Sequence, residues 1–149
     1  MNDTTHAVAR LNREVYEAGT ARALDEVRAL TAAAVGLLEA SGSPQASRSR
    51  LVFLVNASSW EAQLGDVTHA VRELEDLVND VATTFGRDSE ITLLTECNLA
   101  AFAGLAGDAA RARSELVALH QRSVEALGAA SPTTRKIEDN LGSWMRSGL

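Results

Sequence analysis

The chain has 149 residues, is 46% hydrophobic and 23% charged, and carries a net charge of −6, a composition that suits one globular domain with a sizeable core. Thirteen of its 14 basic residues are arginine, and they form no run, so nucleic acid is disfavoured as the partner because phosphate binding needs a concentrated basic stripe. Cys97 is the one cysteine, which excludes an intramolecular disulfide scaffold, and no run approaches the ~18 apolar residues of a membrane span.

The first segment, MNDTTHAVAR, carries an acid and no apolar stretch. It does not read as a signal peptide, and the cytoplasm is the expected compartment. From residue 4 to 17 apolar positions fall at Ala7, Val8, Leu11 and Val15, which is helical spacing. Gly19 then reads as a break. Residues 20–40 place Leu24, Val27, Leu30, Ala34 and Leu38 on one helical face, and SGSP at 41–44 reads as a turn. Residues 45–64 hold Leu51, Leu54, Val55 and Leu64; Gly65 ends that helix and Asp66 suits the cap of the next. A fourth helix over 66–84 uses Val67, Ala70, Val71, Leu74, Leu77, Val78 and Val81. After the turn FGRDSE, a fifth over 89–106 runs through Leu94, Leu99, Phe102 and Leu105. Gly107-Asp108 opens a sixth, to 127, with Ala112, Leu116, Leu119 and Val124. Ser131 and Pro132 suit the cap and first position of a seventh, which runs to about Arg146. LVFLV at 51–55 is the only strand-like run.

The strongest signal is a period of 42 residues. Asn56, Asn98 and Asn140 fall on it, as do Trp60, Phe102 and Trp144. Gly65-Asp66 recurs as Gly107-Asp108, and Phe85-Gly86 as Leu127-Gly128. Such a period marks stacked helical hairpins, because one hairpin cannot bury its own apolar face. It also makes 51–55 helical, since Leu93, Leu94 and Leu99 occupy a helical copy of that segment. The expected fold is all-α: a right-handed helical-hairpin solenoid of about seven antiparallel helices, forming a single domain over 1–149. It divides into a degenerate repeat at 4–42, repeats at 45–86 and 87–128, and a terminal half-repeat at 131–147. The first repeat is degenerate because Gly19 to Gly65 spans 46 residues and no asparagine stands at position 14.

The stretch Thr95, Asn98, Leu99, Ala100, Gly107, Asp108, Ala112, Leu116 and Leu127-Gly128, continuing through Ser131-Pro132, Thr134, Asn140 and Leu141, resembles the long tetratricopeptide repeats of kinesin light chain type. Actinobacterial proteins carry such repeats as arrays. The match covers about 45–147 well and 4–44 weakly. The loop histidine of the pattern is absent, and the second repeat lacks the leucine after Asn56. The resemblance implies a helical solenoid whose groove asparagines contact a peptide.

Asparagine is a poor mid-helix residue because its side chain competes for backbone groups. Three at one register suggest a ladder on one wall, where each amide offers a donor and an acceptor to the backbone of an extended peptide. The competing reading is that each amide bonds a neighbouring helix and fixes the stacking. Helical spacing places Val52, Ser59 and Gln63 near Asn56; Leu94, Cys97 and Ala101 near Asn98; and Lys136, Asp139 and Ser143 near Asn140. Arg10 and Arg13 are candidates for the groove mouth, against a plain solvated face. The aromatics read as core between repeats. Trp144 and Met145 lie on a last helix with no successor and are candidates for an association surface, as in a homodimer formed through that helix.

His6, His69 and His120 look isolated from other metal ligands, so no metal site is expected. No cofactor fingerprint is present, and Glu73, Glu75, Asp76 and Asp80 read as a solvated face. The expectation is a non-catalytic module that binds a peptide segment of a protein partner, with no nucleic acid or membrane. The alternatives are a regulatory or sensory domain of a signalling or transcription assembly, and a small-molecule-binding or enzymatic protein using the same groove.

Overall fold

The computed structural model describes residues 3–147, with side chains through Arg146. Among these residues there are seven α-helices and no strand. They are α1 (Asp3–Thr20), α2 (Leu24–Ser41), α3 (Pro44–Gln63), α4 (Val67–Phe85), α5 (Glu90–Leu105), α6 (Ala109–Leu127) and α7 (Pro132–Ser147). The segment 51–55 is helical, with Leu51, Phe53 and Val55 buried. No helix is long and apolar enough to cross a membrane, among the described residues.

The chain packs as two compact units, Met1–Asp66 and Val67–Leu149. In the first, α1 packs on α2 and α2 on α3, and α1 also touches α3. Its core is Leu11, Val15, Ala18, Val27, Ala34 and Phe53, with Trp60 and Leu64 packed against it. Arg28 on α2 ties this unit across to α3. Its Nε donates to Glu61 Oε1 at 3.2 Å and its Nη2 to Asp66. Those two hydrogen bonds, Asp66 first and Glu61 next, raise the guanidinium pKa further. Glu61 is buried, so the contact supplies a counter-charge to a carboxylate largely removed from water.

In the second unit α4 packs on α5, α5 on α6 and α6 on α7, and α5 also touches α7. Its core is Leu93, Cys97, Ala100, Leu116, Leu119 and Ile137, with Leu127, Leu141 and Trp144 against it. A buried hydroxyl pair, Ser123 Oγ and Thr134 Oγ1 at 2.6 Å, joins α6 to α7.

Local chemistry sets the helix ends. Ser43 accepts from the Ala46 N–H, Ser89 from Thr92 and Asp108 from Arg111, each as an N-cap. The turns after α1, α3 and α5 share one pattern of hydrogen bonds. Asp66 N donates to Glu61 O and Gly65 N to Ala62 O; Asp108 N donates to Ala103 O and Gly107 N to Gly104 O. At the first turn Ala23 N donates to Ala18 O and Arg22 N to Gly19 O. The expected break at Gly19 is therefore misplaced: α1 runs on to Thr20, and Arg22 holds the place of Gly65 and Gly107. All three have positive φ, 61° at Arg22, 109° at Gly65 and 120° at Gly107.

Gly19 and Gly104 have another purpose, close approach. A Cβ on Gly104 would lie 2.5 Å from the Trp144 ring, and one on Gly19 would overlap Trp60. The same contact, an indole seated on a glycine of the preceding odd helix, occurs once in each unit.

Candidate functional site

The corrected first turn changes the register of α1. Counting back from Arg22 as from Gly65 and Gly107, the asparagine position of the ladder is Arg13, one residue before the place where an asparagine was sought. By the same count Tyr16 stands where Ser59, Ala101 and Ser143 stand in the later odd helices. Sequence reading missed Tyr16, because only the hydrogen bonds of the turn reveal that register. Tyr16 is 64% exposed and sits edge-on to Trp60, with ring centroids 5.8 Å apart.

In the first unit Arg13 and Asn56 are exposed, as is Gln63, while Val52 and Ser59 are half-buried. Ser59 Oγ donates to Val55 O at 3.2 Å, a bond within its own helix. Arg10 is exposed too, with Nε 3.8 Å from Glu14 Oε1 one turn along.

The second unit brings its candidates together along α5 and α7. Leu94, Asn98 and Ala101 are half-buried on one face of α5, and Leu105, one further turn along, is 63% exposed. Lys136 is exposed and Asn140 half-buried on α7. The Asn140 amide donates to Lys136 O at 3.1 Å and to Cys97 Sγ at 3.4 Å, so it reaches the residue next to Asn98. This amide therefore helps to fix one helix on another. Ser143 is exposed, donates to Asp139 O at 3.2 Å and accepts from Arg146 at 3.4 Å.

Cys97 was placed near the groove by spacing, but it is fully buried in the core beneath Asn140. Burial pushes its thiol up to about 11, against smaller opposing effects of Lys136 and Asn140. The sulfur is thus held as the unreactive thiol at neutral pH.

Trp144 is half-buried over Gly104, and Ile137 is fully buried. Met145, 53% exposed, is the apolar side chain that this helix leaves in solvent.

A second group of residues was not legible as a site. A cleft of about 290 Å³ is lined by Val78, Leu99, Ala118 and Leu119 and by two charged pairs, Arg111 with Glu115 and Arg122 with Glu96. Arg111 donates to Glu75 Oε1 on α4 and to Glu115 Oε1 on α6, both at 2.9 Å. Hydrogen bonds to Glu75 and then Glu115 raise its pKa. Arg122 Nη1 lies 2.9 Å from Glu96 Oε2 on α5, its Nε lies 3.5 Å from Asp88 Oδ1, and Nη2 donates to the Arg87 carbonyl at 2.9 Å. Glu75 is therefore a partner of Arg111 rather than part of a purely solvated face. The only local hint is Arg111 and Glu115 at one-turn spacing; the other carboxylates lie far away in sequence.

The histidines need a correction as well. His69 Nε2 is 3.5 Å from Glu73 Oε1, and His120 Nε2 is 3.6 Å from Glu138 Oε2. Neither is isolated from carboxylates. No protein-family model matches the chain, and no curated protein matches it by sequence.

Proposed function

We propose that the chain is a non-catalytic, tetratricopeptide-like interaction module that holds an extended peptide segment of a protein partner against the stripe shared by α5 and α7. The observation that carries this reading is a face of α5 on which Asn98 stands among three apolar side chains, beside a packed α7 that carries Asn140. Asn140 reaches the neighbour of Asn98, and Leu94, Ala101 and the exposed Leu105 flank Asn98 on α5. Apolar side chains of a peptide would sit on the leucines, while its backbone would use the amides. Arg13, Tyr16 and Asn56 give the first unit a related stripe along α1 and α3. The resemblance to kinesin-light-chain-like repeats adds the finer expectation of a right-handed solenoid in a cytoplasmic adaptor. Cys97, the one thiol, is removed from chemistry by its burial.

The test begins with peptides selected from a displayed library against the purified chain. Asn98→Ala is expected to weaken their binding by ~0.5–1.5 kcal/mol and to leave the melting temperature nearly unchanged. Peptides that bind Asn98→Ala as tightly as the wild type would sink the proposal. So would a large loss of stability with unchanged affinity, which would make the asparagine a stacking residue.

A further inference from the structure

The stripe along α1 and α3 differs in chemistry from the one in the second unit. Its centre is an aromatic corner. Trp60 of α3 is half-buried and seated on Gly19 of α1. Tyr16, 64% exposed, stands beside it with the two ring planes 76° apart. The seat fixes the indole but does not use its polar edge. Among the described residues the Trp60 N–H is neither hydrogen-bonded nor buried, and an indole N–H donates and cannot accept. The side chains around it share that bias. Arg13, one turn before Tyr16, is exposed and has no ion pair among the described residues, and its guanidinium only donates. Asn56, one turn before Trp60, and Gln63, one turn after it, are exposed amides without a hydrogen bond there. The carboxylates of α1 do not redress the balance. Glu14 and Glu17 both lie within ~40° of the side of the helix opposite Gly19, and Glu14 faces Arg10.

This excess of donors discriminates among peptides. An ordinary extended segment brings an N–H for every carbonyl, and those N–H groups would find only the two amide oxygens and the Tyr16 hydroxyl. A helical segment keeps its backbone groups for itself and offers the donors nothing. An acidic segment meets one unpaired guanidinium here, on a chain of net charge −6. A proline-rich segment brings carbonyls without N–H groups. Its polyproline II form leaves them outside any internal hydrogen bond, and its rings pack on aromatic side chains. Asn56 and Trp60 stand ~6 Å apart along α3, the rise of two polyproline II residues. We propose, resting on the reading above that the chain holds peptide segments, that the stripe of α1 and α3 takes a proline-rich segment of the partner. A pyrrolidine ring sits in the corner of Tyr16 and Trp60, and carbonyls accept from the Trp60 N–H and the Asn56 amide.

The probe is decaproline, acetylated and amidated, titrated into the full nitrogen-labelled chain. A glycine–serine decamer and a glutamate-rich decamer serve as controls. Saturable binding of decaproline is expected, about tenfold or more tighter than either control. The two tryptophans give two indole N–H signals, told apart by Trp60→Phe. That of Trp60 should move as decaproline saturates, while that of Trp144 should stay. Tyr16→Ala, at an exposed position, should weaken binding by about tenfold with circular dichroism unchanged. Trp60→Phe, which keeps a ring and loses the N–H, should weaken it severalfold. Asn98→Ala, in the other unit, should leave it as it was. Decaproline that binds no better than the glycine–serine decamer overturns the proposal, and so does binding that survives Tyr16→Ala. A preference for the glutamate-rich decamer also overturns it, since that makes Arg13 the anchor of an acidic partner. Selected peptides that depend on Asn98, with decaproline silent, would remove this inference and leave the peptide-binding reading standing. Silence of both would remove the two together.

Discussion

A thiol in a helical core lowers stability on the alkaline side. Cys97 has no contact with solvent, and burial raises its pKa from the ordinary value to about 11. Between roughly pH 8.5 and the folded value, the unfolded chain loses this proton while the native chain keeps it. The unfolded state then binds fewer protons, so stability falls as pH rises through that window. On the order of 3 kcal/mol is lost by the top of the window. Urea unfolding at pH 8 and pH 10.5 measures it, with Cys97→Ala as the reference because other groups also titrate there. The wild type should lose more stability than Cys97→Ala between the two pH values; equal losses would mean that the thiol is open to solvent. Sequence located Cys97 correctly beside Asn98 but misjudged its direction. On a helix that packs on two others, adjacent positions can face the core and the surface, and which is which depends on where the neighbours lie. Arg22 shows the same limit. An arginine with φ of 61° carries no mark in the sequence, because L-residues seldom adopt it.

At the scale of the helix, the indole-on-glycine contact decides how closely odd-numbered helices approach within a unit. Gly104→Ala places a methyl 2.5 Å from the Trp144 ring, which neither helix can absorb without shifting. The expected cost is about 1–3 kcal/mol, read as a lower urea midpoint, and Trp144→Leu in the same chain should recover part of it. A neutral Gly104→Ala would mean that Trp144 is not seated there. Helix ends were the most legible features. Asp108 caps α6 as its Gly-Asp step implies, and Ser43 and Ser89, read from sequence only as parts of turns, cap α3 and α5 by the same local chemistry. Gly65, Gly86, Gly107 and Gly128 all hold the positive φ expected of glycine at a helix end. The failure at Gly19 has a plain cause. Glycine serves either a left-handed turn or a close approach, and only the position of Trp60 tells which.

At the scale of the molecule, the 42-residue period made seven helices and a helical 51–55 legible, since each repeat constrains the reading of the others. The bridges from Arg111 to Glu75 and from Arg122 to Asp88 were not, because nothing near an arginine announces a carboxylate more than thirty residues away. The second unit has its own core, from Leu93 to Ile137, and repeat stability is roughly a sum of units and their interfaces. The fragment 67–149 is therefore expected to be helical by circular dichroism and to unfold cooperatively in urea. A broad, non-cooperative loss of signal would show that it depends on residues 1–66.

The two seated indoles have a further use. The chain has two tryptophans and one tyrosine. Trp60 belongs to the first unit and Trp144 to the second, and Tyr16 stands at the edge of Trp60 alone. Nature has thus placed one fluorophore in each half, and only one of them has a tyrosine donor at 5.8 Å. Excitation of that tyrosine should feed emission from Trp60, so loss of the transfer reports the opening of α1 from α3. In Trp60→Phe, the remaining emission follows the second unit. The order in which the halves come apart can be read optically, without attaching a label.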